Sequence, residues 1–241
     1  MDVDEYIAQI VSNGHALAQA ASAAGWDAVV PPCPEWTVRD LVAHVGGVHR
    51  WAAEIVRDGL SAEQAAAVGS VGVGPDDAEM LAWYLSSNAL LVSQLQAAPD
   101  SLECFTFLPA PSPLAFWARR QAHETAIHRV DAESAAGSVA VFGPDFAQDG
   151  IAEMAAGFSR RRRRFDRAGT LALSSTDGPS WLAEFDPEGV AVALGEGPAD
   201  ATVTGTSSDL YLWLCNRPSA ATLAGDAELA AQWGRVRVRW S

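Results

Sequence analysis

Residues 32–60, PCPEWTVRDLVAHVGGVHRWAAEIVRDGL, contain one complete helix with both of its ends marked. Pro32 and Pro34 remove backbone donors and impose extended backbone on their neighbours. Thr37 then stands three residues before Asp40, a capping-box spacing with Asp in the usual Glu place, while Trp36 and Leu41 occupy the two positions of a hydrophobic staple. Val38, Val42, Val45 and Ala52 form an apolar stripe, and the helix is predicted to run to about Asp58 and stop at Gly59.

The same reading extends in both directions. Residues 3–24 are alanine-rich, carry Ile7, Ile10, Val11 and Leu17 at helical spacing, and end at Gly25. Downstream, the Gly-rich stretch VGSVGVGPDD precedes a helix near Asp76 to Ala97 with Pro75 at its start. After the break PAPSP, a fourth helix is predicted from about Pro113 to Ala136, closed by Gly137. Four long helices joined by loops, one of them long enough for a crossover, predict a four-helix bundle.

Beyond Gly143 the pattern changes. One more helix, about Pro144 to Asp166, leads into the alternating runs TLALSST, WLAEFD, GVAVALGE and ADATVTGT, separated by DGPS, DPEG and EGP. Period-two alternation between turn residues predicts antiparallel strands, with one sheet face covered by helices. Further helical segments are expected at Ser208 to Cys215 and Ala227 to Gly234. The fold class is therefore α+β with two domains, residues 1–138 a four-helix bundle and 139–241 a small antiparallel-sheet α+β domain.

Composition narrows the function. No apolar run approaches the roughly eighteen residues of a membrane span, and the acidic start MDVDEYIAQI lacks the features of a signal peptide, so a cytoplasmic protein is expected. Cys33, Cys104 and Cys215 form neither a CxxC nor an even disulfide set, which fits a reducing compartment. A net charge of -14 argues against general nucleic-acid binding. The run Arg160 to Arg164 reads as a solvated helix end rather than a phosphate patch. All 16 basic residues are arginine, so Schiff-base and lysine-base mechanisms are excluded.

The chemistry-bearing stretch is RRQAHETAIHRVDAE, residues 119–133. At about 100° per residue, Arg120, Glu124, His128 and Asp131 fall within about 80° of one another, and Trp117 lies inside that arc. Glu124 and His128, four apart, form a common metal-ligand pair. His123 lies about 140° around the helix from His128, so HETAIH is not the HExxH of a zinc protease. Taken alone, this face reads more readily as an ordinary salt-bridged surface than as half of a metal site. A third ligand must come from elsewhere, and His44 and His49 both offer one; His49 lies nearer the centre of the apolar stripe, and whichever is not a ligand is expected to be a buried, hydrogen-bonded histidine. Two histidines and one carboxylate leave a zinc ion one position for water or substrate.

CPEWTVRDLVAHVGGVHRWA at 33–52, taken with RRQAHETAIHRVDAE, resembles the mycothiol-dependent maleylpyruvate isomerase family of the DinB-like superfamily. The resemblance implies an N-terminal DinB-like metal-binding bundle followed by a sterol-carrier-like domain. It implies His44, Glu124 and His128 as ligands of a divalent ion, usually zinc, and mycothiol as the thiol cofactor. In the isomerase, thiolate adds to the cis double bond of maleylpyruvate, rotation follows, and elimination gives fumarylpyruvate; relatives are S-transferases. The family's substrate-facing arginine corresponds to Arg217, although the usual tryptophan-glycine-arginine reads Cys215-Asn216-Arg217 here. The function expected is thiol-using isomerase or transferase chemistry on a small electrophile, with Arg217 or Arg120 as anion holder. The alternative is a non-catalytic small-ligand-binding protein with a structural metal site.

Overall fold

The computed structural model describes residues 1–68, 74–159 and 164–236. Half of the Gly-rich stretch, residues 69–73, and Arg160 to Arg163 of the arginine run lie outside the described residues. The chain divides into two compact units, Met1–Ala140 and Val141–Ser241.

The first unit is a bundle of α1 (Val3–Ala24), α2 (Val38–Asp58), α4 (Asp77–Ala97) and α5 (Pro113–Ala135), with a short α3 (Ala62–Ala67) between α2 and α4. Their ends are where the local chemistry puts them. Asp2 and Thr37 form complete capping boxes with Glu5 and Asp40, and Ser112 caps α5 ahead of Pro113. Gly59 ends α2 in the left-handed region at φ 62. Between α1 and α2, the proline-bearing segment forms a small hairpin of β1 (Val29–Val30) and β2 (Cys33–Thr37), which delivers Trp36 and Thr37 to the start of α2.

Helices α1 and α2 each pack against both α4 and α5, so α5 lies between the first two helices on one side and α4 on the other. The core includes Ile10, Leu17, Leu41, Ile55, Met80, Tyr84, Leu91 and Trp117, all buried. Close approach of α4 depends on small residues. A methyl group added at Gly46 would stand 2.2 Å from the Trp83 ring, and one at Gly14 would stand 2.5 Å from the Asn88 amide.

The second unit contains α6 (Pro144–Glu153), continued as a π-turn over Met154–Phe158, and a five-stranded sheet of order β5-β4-β3-β6-β7. The strands are β3 (Gly169–Ser175), β4 (Trp181–Asp186), β5 (Gly189–Leu194), β6 (Ala201–Gly205) and β7 (Thr222–Gly225); α7 (Ser207–Leu214) and α8 (Ala227–Ala231) follow β6 and β7. Leu171, Leu173, Trp181, Ala183, Phe185, Ala201 and Val203 are buried, and Trp181 and Phe185 meet α6 and Trp233 from that face. A helix-covered sheet was expected. A wholly antiparallel one was too, but β6 runs parallel to β3, from Leu171↔Ala201 to Ser175↔Gly205. The EGP segment separates the last two of the alternating runs. It leads the chain from the far edge strand back to the opposite side of β3, so β6 starts beside the start of β3. Alternation reports which face a side chain takes but carries no strand direction.

The helix expected to reach Asp166 also ends earlier. Ser159 N–H bonds back to the Met154 carbonyl, a wider turn than α, and Phe165, outside any helix, packs edge-to-face on Phe185. Among the described residues, no helix is long and apolar enough to cross a membrane.

Candidate metal centre

Two helices of the first unit build the centre. Spacing of four residues brings Glu124 and His128 to the same face of α5, and α2, which packs on α5, carries His44. One ligand atom from each of His44, Glu124 and His128 lies within 4.8 Å of the others. The Nε2 atoms of His44 and His128 both point at Glu124 Oε1, at 3.5 and 3.2 Å. Ligands on a tetrahedral zinc, with bonds of about 2.0–2.1 Å, stand roughly 3.3 Å apart, so this donor set fits a divalent ion in its chemistry and in the two separations from Glu124 Oε1. Glu124 is 4% exposed and His128 8%, so little solvent reaches the pair. By side chain alone, His44 at 12% and His128 at 11% are about equally open and Glu124 at 5% is the most enclosed.

The surrounding residues hold these atoms in place. Asp131, fully buried, accepts from His128 Nδ1 at 2.9 Å, and Arg120 donates to Glu124 Oε2 at 3.2 Å. The Trp36 ring lies 4.8 Å from the His44 ring and stacks at 6.1 Å on that of His128. Burial alone would raise the Glu124 carboxyl; hydrogen bonds from His128 and His44 and the Arg120 charge instead hold it well below its ordinary value. Burial likewise opposes charge on His128, but its bonds to Asp131 and Glu124 outweigh that and raise it to about 9. The cluster is therefore built to place positive charge between two carboxylates.

The other histidines on these helices go elsewhere. His49, the residue preferred by the apolar pattern, is fully buried, and its Nε2 donates to Thr125 Oγ1 at 2.9 Å, because that hydroxyl already donates to the Gln121 carbonyl. The centre of an apolar stripe faces the middle of a bundle, whereas His44 sits at the stripe's edge with partial access to solvent. His123 is buried beside Tyr6, 6.5 Å between rings. Trp36, read from sequence only as a staple, was missed as a wall of the cluster; its place just before the helix cap, two turns from His44, was the available signal.

Burial lowers His49 from 6.5 to about 3. Its folded-state value lies below its unfolded one, so the stability that goes with a neutral His49 is complete above about 6.5 and is lost as pH falls toward 3. Each pH unit in that window should cost about 1.4 kcal/mol. Urea titrations at pH 7 and pH 5 are expected to show this loss in the wild-type protein and a correspondingly smaller one in His49→Met.

In the second unit, Arg217 follows α7. Asn216 adopts φ 58, its N–H bonds to the Trp213 carbonyl, and the Arg217 N–H bonds to that of Leu212. That is a Schellman ending, whose left-handed position takes Gly or Asn. The departure from tryptophan-glycine-arginine thus keeps the turn that presents Arg217, whose Nη1 donates to the Cys215 carbonyl at 2.8 Å.

The sequence profile of the mycothiol maleylpyruvate isomerase N-terminal domain matches residues 7–133, more than half of the chain. The chain belongs to that family. A second profile, the C-terminal domain of the same family, matches residues 115–232. A crystal structure of the mycothiol-dependent maleylpyruvate isomerase is similar to this chain at 18% identity, with a TM-score of 0.59 over 94% of this chain and 95% of that one. A structure of a histidine-to-alanine mutant of that isomerase gives 17% identity and a TM-score of 0.64 over the same shares. At such identities the likeness concerns the fold, a two-part α+β architecture common to this chain and the mycothiol maleylpyruvate isomerase family. None of the curated proteins matches the sequence.

Proposed function

We propose that the protein is a divalent-metal-dependent, mycothiol-using isomerase or S-transferase acting on a small electrophile such as maleylpyruvate. The observation that carries this reading is the convergence of His44, Glu124 and His128 on one point in a member of the mycothiol maleylpyruvate isomerase family. A divalent ion there, zinc by the character of its donors, would supply the charge that favours a thiolate over a thiol and keep a position open for it. The chain's own residues orient and shield. Arg120 fixes the Glu124 carboxylate, and Trp36 covers the imidazole rings. Arg217 is proposed as the anion holder of the second unit. No lysine is present to attack a substrate, which supports a nucleophile brought in as a cofactor.

With maleylpyruvate, thiolate addition to the cis double bond would give a single bond free to rotate, and elimination of the same thiolate would return the trans isomer with no net consumption of thiol. With an electrophile that bears a leaving group, the sulfur would remain on the product. Turnover of purified protein with mycothiol against maleylpyruvate and a panel of other electrophiles tests the reading. Isomerisation at constant thiol, or stoichiometric loss of thiol, is expected with some member of the panel; equal rates with and without mycothiol throughout would reject it. The residue 1–138 and 139–241 division is proposed to separate the metal-binding module from a sterol-carrier-like one.

A further inference from the structure

Asp131 is fully buried, and an ionised carboxylate is costly to bury unless hydrogen bonds and opposite charge compensate. It sits one helical turn after His128, and its Oδ2 accepts from His128 Nδ1 at 2.9 Å. A proton held on Nδ1 leaves Nε2 as the atom that faces Glu124 Oε1, 3.2 Å away, with His44 Nε2 3.5 Å from the same oxygen. Nε2 is therefore the nitrogen that would exchange its proton for an arriving ion, and the ring is fixed from behind while Trp36 stacks on its face. Histidines that bind metals commonly donate their other N–H to a carboxylate, which sets tautomer and orientation and raises basicity.

We propose that Asp131 is a positioning residue of the centre: its carboxylate holds the Nδ1 proton of His128 and so commits Nε2 to a divalent cation. This rests on the metal reading above. Asp131 does not itself join the ligand set, since its oxygen is engaged on the far nitrogen of the ring. The adjacent Arg120–Glu124 contact makes the same kind of arrangement for the carboxylate ligand, so two of the three ligands are oriented from within α5 by residues three or four positions away.

The test compares zinc and cobalt affinity, by competition with a chromogenic chelator, in the wild-type protein, Asp131→Asn and His44→Ala. Asn keeps the volume and an acceptor oxygen but removes the charge. Asp131→Asn is expected to bind each metal about 10- to 100-fold more weakly, with an altered visible spectrum for cobalt and a folded far-ultraviolet spectrum. Unchanged affinity and cobalt spectrum in Asp131→Asn, with His44→Ala losing the ion, would overturn the role of Asp131 alone. A wild-type protein that binds neither metal would overturn the metal reading and this inference with it. Should the Asn variant not fold, long-range proton–nitrogen NMR of the zinc-loaded wild-type protein decides: a proton on Nδ1 of His128 supports the assignment, and a proton on Nε2 contradicts it.

Discussion

His44→Ala is expected to abolish metal binding and thiol-dependent turnover while leaving the thermal melt of the metal-free protein within a degree or two of wild type. The loss should exceed the roughly 10- to 100-fold typical of residues that only orient a ligand, because one of three donors disappears. The fold should tolerate it. His44 is partly open to solvent, it approaches Glu124 at 3.5 Å, and Glu124 keeps hydrogen bonds with both His128 and Arg120 when His44 is gone. His128→Ala is a poorer probe of function, since it takes a cationic partner from two buried carboxylates, a change that costs on the order of 3–5 kcal/mol in other proteins. Metal content, turnover and melting measured on the same preparation of His44→Ala distinguish a catalytic ion from a structural one. Loss of all three together would favour the binding-protein alternative, in which the ion serves the fold.

The second large effect concerns stability alone. Trp117 shares the arc of Glu124 and His128 on α5, yet it is fully buried among Trp51, Phe107 and Phe116, in edge-to-face contact with each, and its Nε1 donates to the Phe105 carbonyl at 2.9 Å. Trp117→Ala removes this aromatic volume and the bond, and should cost about 3–5 kcal/mol. Trp117→Phe keeps most of the packing and loses the donor, at about 1–3 kcal/mol for the carbonyl left without it. Chemical denaturation of the metal-free proteins measures both. Equal stability of Trp117→Ala and wild type would show that this aromatic cluster does not hold α5 in place.

The helix ends were legible because their signals are local. The Thr37–Asp40 box, Ser112 before Pro113 and the glycines at 59 and 137 each act within one turn. So was the pairing of Glu124 with His128, which follows from helical pitch. The third candidate ligand was not decided by the pattern of α2, since hydrophobic periodicity identifies the side that faces the core, and His49 lies deeper on that side than His44. Only the family resemblance pointed to His44. The direction of β6 was equally out of reach: alternating residues fix the faces of a strand, while its neighbour depends on where the chain crosses the sheet. Asp131 was visible on the ligand face, but its engagement with Nδ1 is a matter of side-chain geometry.

The most direct test is X-ray absorption at the edge of the bound metal, recorded with and without saturating mycothiol. Nitrogen and oxygen neighbours at about 2.0–2.2 Å are expected in both, with one sulfur at about 2.3 Å appearing only when mycothiol is present. A shell of nitrogen and oxygen alone under saturating thiol would contradict it.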